Sequence, residues 1–361
     1  MSVASYYVSD SGSDVAGNGT SWSNAYATIQ FAADDIWATH GTTSRNIVYC
    51  QGDFTISTPL DFSTNKSPVP NLGTRLLLVS AGRDAVNDGQ QCILRGNDNI
   101  VYDTVSDYIF YIGFEFTWCN VNNDSGQKAF RVDRNNEWID CKFSDSGTTT
   151  QAGLFQGLYS NGFSYCIFDN MYTGVSHSIG GYFNSCYLNS KPGRGVGLSV
   201  YRSGRVINCV IWTDGNTNAV YCGAGGDVTN NVLIQNNQGG GAVGSGIKVA
   251  TEARLIANNY IHNFNTGIKI ETGTADLRNN FTYNVTNPVS VTTAGDLIAR
   301  GPEVIQNTVA EQPLFVDAAN LDLRLNPSWR GNTNEIWGGL GYPGPVTLFN
   351  QVQPVALRVR G

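Results

Sequence analysis

Three stretches of the sequence, VTNNVLIQN (228–236), LIANNYIHN (255–263) and LRNNFTYN (277–284), share one pattern that decides the fold. In each, an alternating run of apolar residues leads into an Asn-Asn pair, and a further alternating run follows the pair. Alternation with a period of two is typical of β-strands rather than helices. The second asparagine of each pair (Asn231, Asn259, Asn280) therefore marks an equivalent position in three successive repeats.

The same position, which we call a rung, recurs along most of the chain. Cysteine replaces asparagine in the earlier repeats, and ten rungs follow one another at intervals of 20–28 residues: Cys92, Cys119, Cys141, Cys166, Cys186, Cys209, Asn231, Asn259, Asn280 and Asn307. Between rungs lies a second alternating element, such as GIKV from Gly246 and GIKI from Gly267. Repeats of this length with two or three short strands predict a parallel β-solenoid. Leucine-rich repeats share the period but need an L-x-x-L-x-L signature, and propeller blades need about 40–50 residues.

The composition agrees with an all-β protein and excludes several other classes. Hydrophobic residues make up 41% of the chain, which is too many for a disordered protein, whereas charged residues make up only 14%. The net charge of −7 argues against general binding of nucleic acid. No apolar run is long enough to cross a membrane, and the first residues lack the features of a secretory signal.

The Asn-Asn stretches resemble right-handed parallel β-helix proteins of the pectate-lyase-like superfamily. The opening YYVSDSGSD (6–14) with WSNAYATIQFAA (22–33) is similar to the N-terminal cap of these proteins, and PLFVDAANLDLRL (313–325) is similar to their last coil. The resemblance implies stacked asparagines that hydrogen-bond along the axis. We expect about 11–12 coils in three regions: an N-terminal strand and capping helix (1–44), the β-helix (45–325) and an extended C-terminal cap or tail (326–361).

The cysteines are predicted to be free and buried. Residues one coil apart have parallel Cβ vectors, which is poor geometry for a disulfide, and an unpaired cysteine behaves as a small hydrophobe. The chain has no C-x-x-C pairs and only three histidines, so we expect no metal site and no other cofactor.

One predicted outward column carries the candidate carbohydrate site. Its aromatic and charged residues, together with those two positions further along the same strands, are Arg131, Asp133, Phe155, Tyr201, Tyr221, Lys248, Lys269 and Glu271. Such a face suits a polysaccharide, which offers CH surfaces and hydroxyl groups. Polysaccharide lyases of the superfamily use a Lys or Arg base, and the stacked Lys248 and Lys269 would suit that role by depressing each other's pKa. The alternative is that both lysines solubilise the sheet while Glu271 moderates their repulsion.

A hydrolytic site would need clustered carboxylates on adjacent coils. Asp140, Asp145 and Asp169 come nearest, but Asp145 and Asp169 do not fall in one register, and such residues are more often turn residues.

A second column follows the rungs directly and is apolar over six coils. Its residues are Ile167, Tyr187, Val210, Val232, Tyr260 and Phe281. A solvated sheet face should be polar at alternate positions, so we expect either another subunit or the 326–361 tail to cover this stripe. The resemblance to β-helix tailspikes favours a homotrimer.

Three functions remain open. The first is an extracellular virion-surface protein (a phage fibre, spike or capsid-decorating protein) that contacts a host-surface polysaccharide and other virion proteins, without demonstrated turnover. The second is a polysaccharide lyase or glycosidase on the same fold, and the third is a bacterial surface adhesin. None of the three requires nucleic acid or insertion into a membrane.

Overall fold

The structure is a computed structural model that divides into an N-terminal unit (Met1–Asn170) and a C-terminal unit (Met171–Gly361). It describes residues 3–40, 45–58, 60, 62, 76–83, 91–96, 102–104, 109–118, 130–145, 155–171, 175–190, 197–214, 218–236, 244–292, 297–299, 304–307, 315–317 and 322–325. Both units are built from short parallel strands, and the predicted right-handed parallel β-helix is confirmed. The predicted tail, 326–361, lies outside the described residues.

The N-terminal unit begins with a strand and an amphipathic helix. The strand Val3–Ser9 pairs in parallel with Arg45–Ile56, and the helix Ile29–His40 buries one stripe, formed by Ile29, Ala32, Ala33 and Ile36. The carboxylate of Asp14 accepts the backbone N–H groups of residues 27 and 28 just before the helix. No helix within the described ranges is both long and apolar enough to span a membrane.

Three parallel sheets, named A, B and C, form the walls of the N-terminal unit. Sheet A contains Val3–Ser9, residues 45–51, Leu76–Ser80, Ile109–Ile112, Glu137–Ile139 and Gly162–Ser164. Sheet B contains residues 52–56, Cys92–Gly96, Glu115–Trp118, Lys142–Asp145 and Ile167–Met171. Sheet C contains Tyr102–Thr104, Phe130–Arg134 and Phe155–Tyr159. Two short 3-10 helices, Trp22–Asn24 and Ala81–Arg83, complete this unit.

One strand of this unit, Arg45–Ile56, turns a corner and serves two sheets. It pairs in sheet A up to Gln51 and in sheet B from Gly52 onward. Gly52 has a φ of 107°, and a Cβ there would lie 2.3 Å from the Asp10 carboxyl carbon. Only glycine permits this close approach, which lets Asp10 accept the backbone N–H of Asp53 at 3.0 Å.

The C-terminal unit repeats a coil of three strands in the order C, A, B. Sheet C contains Val175–Ile179, Leu198–Tyr201, Val220–Cys222, Ser245–Val249, Thr266–Ile270 and Asn287–Val291. Sheet A contains Tyr182–Asn184, Arg205–Ile207, Gly226–Thr229, Ala253–Ala257, Ala275–Arg278 and Leu297–Ala299. Sheet B contains Tyr187–Ser190, Val210–Asp214, Val232–Asn236, Tyr260–His262, Asn280–Tyr283 and Val304–Asn307.

The last described strands depart from the predicted coil. Phe315–Asp317 and Asp322–Leu325 pair with each other in antiparallel fashion, so 313–325 is not a further parallel coil. Only four residues separate the two strands. Antiparallel strands accept such a short connection, whereas parallel strands need a crossover of about a dozen residues.

The rungs lie at the turn between sheets A and B, where a buried residue follows one in the left-handed conformation. The left-handed residues have φ of 50–58°: Asp140, Tyr165, Ser185, Asn208, Asn230, Asn258 and Asn279. Asparagine and aspartate adopt this conformation more readily than most other residues, which explains the first Asn of each Asn-Asn pair. The second Asn points inward and is fully buried in all three pairs.

The buried asparagines form the predicted ladder along the axis. Asn231 Nδ2 donates to Asn259 Oδ1 at 2.9 Å, and Asn259 Nδ2 donates to Asn280 Oδ1 at 2.9 Å. Each of these carbonyl oxygens also accepts the backbone N–H of the preceding rung, at 3.1 and 3.2 Å. Each asparagine further donates to a carbonyl of the preceding coil; for Asn259 this is Val228 O, at 2.9 Å. The ladder therefore satisfies buried backbone groups of adjacent coils at once.

The cysteine rungs are buried and free of disulfides. All seven cysteines that the structure describes are free thiols, and Cys119 lies outside the described residues. The thiols of Cys166 and Cys209 donate to the carbonyl two residues earlier in their own coil, at 3.5 and 3.3 Å. Burial raises the pKa of the Cys92 and Cys209 thiols well above the usual range, which keeps them protonated.

The strand register corrects two of the ten predicted rungs. Ile93 pairs with Glu115, so the rung after Cys92 is the buried Phe114 rather than Cys119. Asn280 pairs with Val304, so Asn307 stands three residues beyond the rung position and pairs with Tyr283. In both cases an apolar residue occupies the rung position of the register, so a pattern of Cys and Asn does not reveal it.

The apolar stripe after the rungs forms one line within the C-terminal unit. Tyr187, Val210, Val232, Tyr260 and Phe281 are consecutive partners in sheet B. The last four are at most 1% exposed in the single chain, although they lie on the outer face. These four side chains are therefore already buried within the single chain, and the contact of the stripe with another subunit stays a prediction. Tyr187 remains partly exposed, as does Ile167 in the N-terminal unit.

A second outer column of sheet B contains a half-buried histidine, His262. His262 Nδ1 lies 3.1 Å from the Tyr260 hydroxyl, and its ring packs edge-on against Tyr283 with centroids 5.1 Å apart. Burial lowers the pKa of His262 from 6.5 to about 4. Between about pH 4 and pH 6.5, the imidazole is therefore neutral in the folded state and protonated in the unfolded chain.

We expect the stability of the protein to fall in acid because of His262. Above about pH 6.5 both states are neutral at this site, and stability is lost as the pH falls from about 6.5 to about 4, by up to about 3 kcal/mol. Equilibrium urea unfolding across this range measures the loss. His262→Gln should remove that part of the pH dependence. An unchanged slope in the variant would contradict the assignment.

Candidate functional site

The outer face of sheet C in the C-terminal unit carries a continuous column of polar residues and one tyrosine. Strand register aligns Ser176, Ser199, Tyr221, Lys248, Lys269 and Ser290 as successive partners. The residues that alternate with them, such as Val200, Val249 and Ile268, are completely buried. The column therefore faces outward, as alternation in a strand requires.

A second column begins two residues further along each strand. Tyr201 leads it, and the backbone N–H groups of Gly223, Ala250, Glu271 and Thr292 each donate to the preceding coil. The Tyr201 ring lies over Gly223, since a Cβ at that position would stand 2.0 Å from a ring carbon. Gly223 was not singled out from the sequence, because its role appears only once the register is known.

Tyr201 and Tyr221 form an aromatic pair at one end of this face. Their ring centroids are 5.4 Å apart and the rings are tilted by 51°. Burial, with a contribution from neighbouring Tyr221, raises the pKa of Tyr201. The ammonium of Lys248 lies 5.7 Å from the centroid of the Tyr221 ring, within the range of a cation–π interaction. The pair thus presents ring surface next to a hydrogen-bond donor.

Lys248, Glu271 and Lys269 form a charged triad beside the aromatic pair. Glu271 Oε1 lies 2.9 Å from Lys248 Nζ and 3.1 Å from Lys269 Nζ. The hydrogen bond from Lys248, supported by that from Lys269, lowers the pKa of Glu271 and keeps it ionised. The lysines therefore share a carboxylate. This geometry matches the alternative in which Glu271 moderates their repulsion, and it differs from a pair of lysines that face only each other.

Three residues of the predicted site belong to the N-terminal unit. Arg131 and Asp133 lie on the strand Phe130–Arg134, and Arg131 pairs with Gln156. Phe155 instead pairs with Phe130, one residue out of register, so it does not belong to the column that contains Arg131. A one-residue offset moves a side chain to the opposite sheet face, which is why counting residues misplaced it.

Two of the three carboxylates nearest to a hydrolytic pattern are out of register, and the third is a turn residue. Asp169 pairs with Ser144 rather than Asp145, which confirms that Asp145 and Asp169 are out of register. Asp140 has a φ of 53° and occupies the left-handed position before the Cys141 rung, as a turn residue. In the part of the chain that the structure describes, no three His, Cys, Asp or Glu residues come together as a candidate metal site.

Comparison with known proteins identifies the fold. No protein-family model matches the chain, and no curated protein sequence matches it. Among solved structures, a rhamnogalacturonan lyase is similar with a TM-score of 0.56 and 14% identity, over 95% of this chain and 99% of that one. The A-module of the Azotobacter vinelandii mannuronan C-5 epimerase AlgE6 has a TM-score of 0.41 and 11% identity, over 77% and 94%.

A viral protein, Geobacillus virus E2 ORF18, also matches, with a TM-score of 0.35 and 11% identity over 78% of this chain and 58% of that one. Identities this low show the fold alone, and the argument about architecture rests on the similarity to the rhamnogalacturonan lyase. The chain therefore has the parallel β-helix fold, and its function must be argued from its own residues.

Proposed function

We propose that the outer face of sheet C in the C-terminal unit binds a polysaccharide, and that the protein does so at a virion surface. The observation that carries the first part is the juxtaposition of the Tyr201–Tyr221 pair with the Lys248–Glu271–Lys269 triad on one exposed face. This supports carbohydrate binding by Tyr201, Tyr221, Lys248, Lys269 and Glu271. Arg131, Asp133 and Phe155 are left out of the proposed site.

The chemistry of the face suits sugars. Tyrosine rings combine a large apolar surface with a polar hydroxyl, so they can cover the CH face of a sugar and still hydrogen-bond its rim. The ionised Glu271 accepts hydroxyl donors, and the ammonium groups of Lys248 and Lys269 donate to sugar oxygens. Successive residues of the column stand about 4.8 Å apart along the axis, so the face offers a row of contacts to an extended chain.

Binding without turnover is favoured over elimination by the salt bridges that both lysines make with Glu271. A lysine that removes a proton must be neutral when it acts, whereas Lys248 and Lys269 both contact the carboxylate of Glu271. The virion setting is supported by the resemblance of the repeats to those of β-helix tailspikes. An assembly with further virion proteins, and a trimer, belong to this proposal as well.

The binding proposal predicts that Tyr221→Ala weakens polysaccharide binding about tenfold, because the substitution removes one aromatic platform and the partner of Lys248. A panel of polysaccharides would first identify a ligand by affinity electrophoresis, and calorimetry would then measure the dissociation constant. Tyr165→Ala is the matched control, since Tyr165 is 45% exposed and lies at a turn between sheets A and B. Equal affinity of the wild type and Tyr221→Ala would contradict the proposal.

The same panel of polysaccharides distinguishes binding from enzymatic cleavage. A lyase releases unsaturated sugars, whose ultraviolet absorbance rises with time, whereas a binding protein leaves the polymer intact. We expect no rise. A rise that Lys248→Gln abolishes would replace the proposed function with the lyase alternative.

A further inference from the structure

The outer face of sheet A in the C-terminal unit carries a row of arginines and aspartates that sequence analysis did not single out. Arg205 and Asp227 are register partners, and Asp276 lies two strands beyond Asp227 with Arg278 on the same strand. Arg254 lies on the strand between the two aspartates. The row therefore contains three guanidinium groups and two carboxylates, with a net charge of +1 on a protein whose total charge is −7.

The acidic and basic side chains of this row differ in exposure: the aspartates are mostly buried and the arginines are exposed. The side chain of Asp227 is 14% exposed, whereas the arginines that contact it, Arg205 and Arg254, are 56% and 59% exposed. Asp276 and Arg278 repeat the arrangement at 15% and 41%. The carboxylates lie beneath and the guanidinium groups lie above, so an approaching solute meets N–H donors first.

Arg254 is oriented by two independent features. Its Nε donates to Asp227 Oδ1 at 2.9 Å and its Nη2 donates to Asp227 Oδ2, which is a bidentate pair. The strand register also shifts at this residue: Ala253 pairs with Gly226 but Leu255 pairs with Asp227, which leaves Arg254 as the extra residue. Bulges of this kind re-aim a side chain and raise the local twist.

The N–H groups of Arg205 are not used in a hydrogen bond to Asp227. Its Nε lies 3.8 Å from Asp227 Oδ2, beyond hydrogen-bonding distance, so the aspartate attracts the guanidinium without using its N–H groups. Asp227 thus orients Arg254 through two hydrogen bonds and attracts Arg205 without a hydrogen bond. A planar guanidinium fork matches the spacing of oxygens in an oxyanion.

We propose that Arg205 and Arg254, held by Asp227, bind an oxyanion group (sulfate, phosphate or carboxylate) carried on an anionic polysaccharide. The polysaccharide part rests on the proposed function, whereas recognition of the oxyanion does not. The ligand would use Arg205 donors and the Arg254 donors that Asp227 leaves unused. The surface lies on sheet A, so it is separate from the tyrosine and lysine face of sheet C.

A surface ion pair in the N-terminal unit lacks this layered arrangement of charges and serves as a comparison. Arg95 donates to Asp53 at 2.7 Å, and both side chains are 47% exposed. There the carboxylate is as accessible as the guanidinium, and the two charges cancel at the surface. Arg95 is therefore the matched control for Arg254.

The test uses the full chain and a matched series of polymers: dextran, dextran sulfate, dextran phosphate and carboxymethyl dextran. We expect at least one anionic polymer to bind, and neutral dextran not to compete with it. In Arg205→Gln/Arg254→Gln the affinity should fall at least about tenfold, and the slope of log affinity against log salt should fall by up to about two. Arg95→Gln should change the affinity less than about twofold, because the equally exposed carboxylate of Asp53 offsets the charge of Arg95 at the surface.

The outcomes separate the oxyanion site from the proposed function. Binding of the anionic polymer that persists in Tyr221→Ala but is lost in the double arginine variant supports an independent site on sheet A. Equal binding by the double variant and the wild type, or an equal loss in Arg95→Gln, overturns the proposal. Circular dichroism checks folding, and Arg205→Gln alone serves if the double variant is unstable, since Arg205 makes the weaker contact with Asp227.

Discussion

Asn259→Ala is expected to lower the free energy of unfolding by about 4 kcal/mol. The side chain of Asn259 accepts from the backbone and the amide of Asn231, and it donates to Asn280 and to Val228 O. Alanine would remove all four bonds and would leave the buried backbone N–H of Asn231 without its side-chain acceptor. Each such group costs about 1–3 kcal/mol, and the interior is too tightly packed to admit water freely. Equilibrium unfolding in urea measures the change.

The matched control is Asn284→Ala. Asn284 donates to Asn263 Oδ1 at 2.6 Å in another turn, but it is exposed, so water can replace its partner. We expect a loss below about 1 kcal/mol there. If both substitutions cost the same, the ladder would contribute no more than an ordinary surface hydrogen bond, and the energetic role assigned to it would be wrong.

Val232→Asp is expected to prevent stable folding, with a cost of about 4 kcal/mol or more. Val232 is fully buried on the outer face of sheet B, between its strand partners Val210 and Tyr260. A carboxylate at this position would be desolvated among apolar side chains. The result differs from the expectation for an exposed subunit interface, where the variant would dissociate an assembly and leave the coils folded.

Val291→Asp makes the same change on an exposed surface. Val291 is 41% exposed at the end of a sheet C strand, so the new charge stays hydrated, and we expect an effect within about 0.5 kcal/mol. Thermal unfolding of both variants, with sedimentation of any folded Val232→Asp, distinguishes the two expectations. A folded monomer of Val232→Asp produced from an oligomeric wild type would instead support the interface hypothesis for the stripe.

The repeat could be predicted from the sequence because its rungs are chemically distinctive. Buried Asn and Cys at a regular interval are rare outside such a ladder, and the left-handed residue before each rung adds a second signal. The prediction failed where an apolar residue occupies the rung position of the register, as at Phe114 and Val304. Apolar residues are common in every strand, so nothing in the sequence distinguishes these two from their neighbours.

The candidate site was predictable only in part. Tyr221, Lys248 and Lys269 follow equivalent glycine or alanine positions, so alternation placed them in one column, and register agrees. The contact of both lysines with one oxygen of Glu271 depends on rotamers that no pattern encodes. The position of Arg254 depends on a one-residue register shift, which is invisible without the neighbouring strand.

The asparagine ladder also has a consequence for how the gene can change. Asn231 and Asn259 are 28 residues apart, whereas Asn259 and Asn280 are 21 apart, yet both steps make the same pair of hydrogen bonds to the next rung. Insertions and deletions are therefore tolerated between rungs and penalised at them. A duplication that copies one whole coil, rung to rung, would extend the ladder without new chemistry, so descendants of this sequence can differ in length by complete coils while keeping the same core.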